Sequence, residues 1–200
     1  MLIAFEGLDQ SGKETQARRL GARLEQDGRR VRAVSFPDYE TPLGIELRKA
    51  LAGERDFTPE VMQLLYVANR FEYRPRLESW LAGGDIVVCD RYRASSVAYG
   101  ESQGLDAGWL EDIQRFLPAA AMTVLLDIAP ETAVARKSTG RDRYERDLGL
   151  LARVRESYRR QAAADGWIVI DAEQSRDEVA RAIESAVWPR LAPPSARERS

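Results

Sequence analysis

Histidine is missing from the 200-residue chain, which removes Ser-His-Asp and Cys-His catalysis, imidazole general bases and histidine-bound metals. Cysteine occurs once, at Cys89, so the chain forms no internal disulfide and offers no cysteine-rich zinc site; this usage fits a reducing cytoplasm. Excess positive charge is also lacking. Lys and Arg total 30 against 32 for Asp and Glu, a net charge of −2, so no overall positive field holds a polymeric nucleic acid. No apolar run approaches the roughly 18 residues that cross a bilayer, so no membrane partner is expected. The opening run, Met1 to Glu6, has neither a basic stretch before it nor a small-residue cleavage site after it, and reads as a buried strand instead of a signal peptide. Any chemistry has to run on carboxylates, cations, hydroxyls and backbone amides.

What is present is a globular composition, 44% hydrophobic and 31% charged, at a length that suits one domain. Short β-rich runs at Leu2 to Phe5, Val31 to Phe36, Ile86 to Cys89, Thr123 to Ile128 and Trp167 to Ile170 alternate with stretches of helical period. The runs are continuously apolar, as expected of strands covered on both faces, and the connections are long enough for right-handed crossovers. The expectation is an α/β chain: a five-stranded parallel sheet in a three-layer α/β/α arrangement over 1–191, with a disordered tail at 192–200. Ligands of such sheets bind beyond the carboxyl ends of the strands.

The first such end is Gly7-Leu8-Asp9-Gln10-Ser11-Gly12-Lys13-Glu14-Thr15, between a predicted strand and a predicted helix. Gly-x4-Gly-Lys in that context is a P-loop. The glycines let backbone amides turn inward around phosphate, the helix presents unpaired amides, and Lys13 adds a positive charge. With this composition the pattern arises by chance about 0.01 times. Glu14 departs from the usual Ser or Thr, whose hydroxyl meets Mg2+. Either other groups hold the metal, or nucleotide is bound without efficient transfer.

Four further segments follow in order: Phe36-Pro37-Asp38-Tyr39, Leu65-Tyr66-Val67-Ala68-Asn69-Arg70, Asp90-Arg91-Tyr92 with Ser95, Ser96 and Tyr99 behind it, and Arg141-Asp142-Arg143-Tyr144-Glu145. Together with the P-loop they resemble the motifs of thymidylate kinases, the enzymes that phosphorylate dTMP with ATP. The resemblance spans Met1 to about Leu191. It implies a P-loop fold with a short lid at about 137–147, Mg2+ as cofactor, ATP and dTMP as ligands, and a homodimer.

Residue by residue, the resemblance assigns the ATP phosphates to 7–15, with Lys13, Arg91, Asp9, Arg141 and Arg143 as the catalytic set. Asp9 takes the deoxyribose 3′-OH or helps Asp90 to hold the metal. Arg91 is suited to fork onto the acceptor phosphate in two parallel charge-assisted bonds. Phe36, Pro37 and Tyr39 line the sugar-phosphate side of dTMP, and Ser95 belongs to the same binding set. Tyr66 and Arg70 share a helix face at i, i+4. Tyr66 would stack on the pyrimidine while Arg70 donates to O4, a pairing the N4 amino donors of cytosine cannot satisfy. Ser96 would take part of the base contact, and Tyr99 and Tyr158 would crowd the sugar against a 2′-hydroxyl. Because the loop carries Gln10 and no arginine, the transition-state cation is expected from the lid. The resulting reading is phosphorylation of dTMP to dTDP; the alternatives are another nucleoside or nucleoside-monophosphate kinase, or a non-catalytic nucleotide sensor.

Overall fold

The computed structural model describes residues 1–136 and 147–191. The expected lid, apart from Asp147, and the tail at 192–200 lie outside the described residues, and Arg141 and Arg143 with them. Five strands appear where the apolar runs predict them: β1 (Leu2–Gly7), β2 (Val31–Ser35), β3 (Ile86–Asp90), β4 (Met122–Asp127) and β5 (Ile168–Asp171). All pair in parallel, in the order β2-β3-β1-β4-β5. The intervening helices are α1 (Lys13–Gln26), α2 (Pro42–Leu51), α3 (Pro59–Ala82), α4 (Arg93–Ser102), α5 (Ala107–Asp112), α6 (Pro130–Arg136), α7 (Leu148–Asp165) and α8 (Arg176–Val187). Among the described residues no helix is long and apolar enough to cross a membrane.

Alternation along β1 makes the three layers. Ile3 and Phe5 pack with Leu20 and Leu24 of α1 and Ile183 of α8, whereas Leu2 and Ala4 pack with Leu77 of α3. Each such aliphatic side chain, fully buried, contributes about 1.5–3 kcal/mol. Cys89 lies in the second set, paired across β3 with Ala4 and Val34, and burial pushes its thiol pKa up.

Two strands depart from the expectation of cover on both faces. β2 and β5 are the sheet edges, so Arg32 and Ala33 are exposed, as is Val169. Arg32 donates to the buried Asp85 at 2.8 Å, a charge on an edge strand that discourages pairing with another sheet. β1 has β3 on one side and β4 on the other, so the connections leave it in opposite directions and open a crevice at its carboxyl end.

Candidate functional site

The P-loop fills that crevice. Gly7, at φ 142°, lies so close to β4 that a Cβ would stand 2.5 Å from the Leu126 carbonyl oxygen, and Gly12 starts α1 in the left-handed region at φ 90°. Gln10 is also left-handed, at φ 65°. Lys13 is 6% exposed and curls back over the loop, donating to Leu8 O at 3.2 Å and Asp9 Oδ1 at 3.4 Å. Burial, followed by the nearby Arg91 guanidinium, lowers its pKa. A cavity of about 620 Å3 lies against this loop; Ser11, Gly12, Lys13, Asp90, Arg136 and Ser175 are among its walls. Arg136 ties one wall to another, donating to Gln10 O at 3.2 Å and Ala172 O at 2.8 Å. Gly7 and Leu8 do not line the cavity; they anchor the loop through β1 and the Leu8 carbonyl.

Arg91 follows β3 at φ 62°, a left-handed backbone imposed on a non-glycine residue beside the ligand crevice. Its guanidinium donates to Asp9 Oδ1 at 2.6 Å, Ser95 Oγ at 3.1 Å, Tyr158 Oη at 3.2 Å and Tyr99 Oη at 3.4 Å. Tyr99 in turn donates to Asp9 Oδ2 at 3.2 Å. Behind this group the fully buried Glu6 accepts from Tyr92 N at 2.8 Å, Ser95 Oγ at 2.6 Å and Tyr158 Oη at 3.2 Å. Burial alone would raise the Asp9 pKa, but the Arg91 and Lys13 cations hold it well below the usual carboxylate range. Burial likewise opposes the charge on Arg91, and Asp9 more than offsets it. Asp90 differs: burial raises its pKa against the pull of Lys13 and Arg91, and its Oδ1 has no hydrogen-bond partner among the described residues.

A second cavity, about 100 Å3, opens on the other side of Arg91. Tyr66 and Arg70 line it together, as their spacing predicts, with Ser95, Ser96 and Tyr99 opposite. Arg70 is 3% exposed and donates to Ser96 Oγ at 2.8 Å and Gln114 Oε1 at 3.2 Å. Burial lowers its pKa. Asn69, beside it on α3, accepts from Asp38 N at 2.9 Å and donates to Asp38 O at 3.1 Å and Thr41 Oγ1 at 2.7 Å, so the helix and the Phe36–Tyr39 loop are held as one wall. Asp9, Phe36, Pro37, Tyr39 and Arg91 line both cavities. Two ligands entering from opposite sides would meet at Arg91.

The family model described as thymidylate kinase matches residues 5–183. The chain belongs to the thymidylate kinase family. It is 36% identical to the thymidylate kinase of Thermomicrobium roseum over 200 aligned positions, covering 92% of this chain and 93% of that one. With the thymidylate kinase of Arabidopsis thaliana it shares 35% identity over 187 residues, 93% of this chain and 70% of the relative. The solved thymidylate kinase of Candida albicans, described as having broad substrate specificity and a novel structural element, superposes with a TM-score of 0.79 at 28% identity, covering 94% and 91% of the two chains.

Within this thymidylate-kinase framework a third expected residue, after Gly7 and Leu8, lies outside both cavities. Tyr158 lines neither cavity; it is 1% exposed, and its hydroxyl lies between Ser95, Glu6 and Arg91. It stands behind Arg91 and accepts from its guanidinium, outside the cavity where the expectation has it crowd a sugar. Glu6, Gln16, Gln63, Gln114 and Arg136 stand at the site without being among the expected site residues. A signal existed for two of them: Glu6 is a charge inside the apolar run of β1, and Gln63 shares the α3 face of Tyr66 and Arg70.

Proposed function

We propose that the larger cavity takes ATP and the smaller one dTMP, so that the γ-phosphoryl group passes to the acceptor beside Arg91. Phosphorylation of dTMP to dTDP is the reaction of the family to which the chain belongs. The observation that carries the placement is the wall the two cavities share, to which Arg91 and Asp9 both belong. Phosphoryl transfer needs positioning and charge neutralisation more than covalent help, which suits a site without histidine. Lys13 and the amides of the P-loop receive the donor phosphates. Arg91, already ionised and placed by Asp9, Ser95, Tyr99 and Tyr158, takes the acceptor phosphate by exchanging some of these neutral and charged partners for phosphate oxygens. Asp9, with Tyr99, faces the sugar.

The residues present fit Mg2+, since Asp90 Oδ1 is a buried, unpartnered hard-oxygen acceptor beside the P-loop, whereas Asp9 is already committed to two cations. Bound there, the ion would neutralise charge on the phosphate oxygens of the nucleotide. Arg141 and Arg143, outside the described residues, are the lid cations of this reading. A homodimer is supported by the exposed apolar side chains Ile45, Val61 and Leu64 on α2 and α3, and a reducing cytoplasm by the lone buried thiol.

The test is an assay of purified protein with Mg·ATP against each nucleoside monophosphate. ADP release that depends on dTMP is expected. Turnover driven by a different acceptor would assign another monophosphate kinase, and ATP binding with no acceptor-dependent turnover would assign a sensor.

A further inference from the structure

Five buried side-chain polar atoms among the described residues have no hydrogen-bond partner: Ser11 Oγ, Gln16 Oε1, Gln63 Oε1, Arg70 Nε and Asp90 Oδ1. Every one belongs to a residue lining the two adjoining cavities. Native interiors pair the large majority of such atoms, so their confinement to the two cavities points to groups whose partners arrive with ligand. In the acceptor cavity the two orphans have opposite sense. Arg70 can only donate, and the Gln63 oxygen can only accept.

Gln63 is 1% exposed and precedes Tyr66 by three residues and Arg70 by seven, which puts all three on one face of α3. Thymine presents the complementary pair on adjacent atoms, an O4 acceptor and an N3–H donor. We propose that Gln63 reads the base together with Arg70, its side-chain oxygen accepting N3–H while Arg70 donates to O4. This rests on the reading of the smaller cavity as the dTMP site. Ser96 is the rival for N3–H: its Oγ accepts from Arg70 at 2.8 Å and keeps a second lone pair, but it is not left unpartnered in the free protein as the Gln63 oxygen is. The division of labour follows from chemistry. A glutamine amide can turn its NH2 end toward the bare N3 of cytosine, so Gln63 supplies affinity for the imide edge, while rejection of cytosine stays with Arg70, which has no acceptor to offer the N4 amino group.

The experiment compares dTMP with N3-methyl-dTMP, which lacks the donor, in wild type, Gln63→Met, Ser96→Ala and Arg70→Ala. Gln63→Met is expected to raise KM for dTMP about tenfold with kcat nearly unchanged, the loss of one hydrogen bond made alike in ground and transition states. It should shrink the preference for dTMP over N3-methyl-dTMP by a similar factor, while Ser96→Ala leaves that preference standing. Because the oxygen is unpaired in the free protein, ligand-free Gln63→Met should melt no lower than wild type. An unchanged preference in Gln63→Met overturns the proposal. Collapse of the preference in Ser96→Ala instead hands N3 to Ser96. A melting temperature well below wild type makes Gln63 a structural residue and overturns the proposal as well. Should Arg70→Ala leave KM for dTMP unaltered, the failure lies with the placement of dTMP in this cavity.

Discussion

In the proposed reaction Lys13 and Arg91 are two of the cations that cover phosphate charge, and they differ in how they are held. Lys13 makes two long contacts, to Leu8 O and Asp9, and is free to reach forward, whereas Arg91 is fixed by four partners. Lys13→Ala is therefore expected to cut kcat by roughly 10³ to 10⁵, the range for phosphate-stabilising cations, with an unchanged circular-dichroism spectrum. Wild-type turnover in a folded variant would remove the P-loop from the mechanism. Arg70→Ala should lose most dTMP efficiency while hardly altering the poor rate with dCMP, because the arginine rewards O4 and already rejects the N4 donors. The check is the ratio of kcat/KM for the two substrates before and after the change. Discrimination against dUMP rests on one methyl group, about 1–3 kcal/mol, and should stay modest. Asp90 gives a pH signature. Burial raises its folded pKa above the ordinary 3.8, so as pH rises past that value the unfolded chain ionises first and the folded chain bears the cost of a buried charge. Asp90→Asn should thus raise the melting temperature at neutral pH and change it little in acid; an equal shift at both would refute a burial-driven pKa. Tyr66 and Arg70 were legible because a helix puts i and i+4 side by side. Gln114 was not: its bond to Arg70 crosses 44 positions of sequence, and nothing local marks a glutamine as the partner of a distant arginine.

Where strand meets helix, conformation decides more than side-chain chemistry. Gly7→Ala would drive a methyl group against the Leu126 carbonyl from a backbone at φ 142°, so the P-loop has to shift away from β4. The expected result is loss of the ATP-dependent rise in melting temperature, together with a lower melting point of the free protein. An unperturbed ATP shift would mean that the close approach to β4 is unimportant for the loop. For the lid, Arg141→Ala and Arg143→Ala should lower kcat and leave KM for dTMP nearly constant, as interactions made only in the transition state do. Unaltered turnover in both would remove these two arginines from the proposed mechanism. All five strands were legible as apolar runs bounded by turn residues. Which of them form the edges was not, because strand order is set by crossover direction and leaves little trace in β2 beyond Arg32.

At the scale of the whole molecule, one buried polar group stands at the carboxyl end of the sheet. Glu6, Asp9, Arg91, Ser95, Tyr99 and Tyr158 form a continuous hydrogen-bonded group drawn from β1, the P-loop, the end of β3, α4 and α7. Parts so far separated in sequence can be oriented together only when the sheet is formed, so the site and the fold are gained and lost together. Cys89 offers a way to watch that happen. Its thiol is buried in the interior strand β3, next to Asp90, and burial keeps it from ionising, so alkylating reagents have no thiolate to attack while the sheet is closed. In the folded state the chain behaves as though it had no cysteine, which leaves surface positions open to engineered single-thiol labels without background. The rare labelling of Cys89 itself becomes a clock for opening of the central sheet. When reclosing is faster than alkylation, a ligand held only by the closed form at 100 times its Kd should slow that clock about 100-fold, so one chromatogram of modified against unmodified protein reads nucleotide affinity without any turnover.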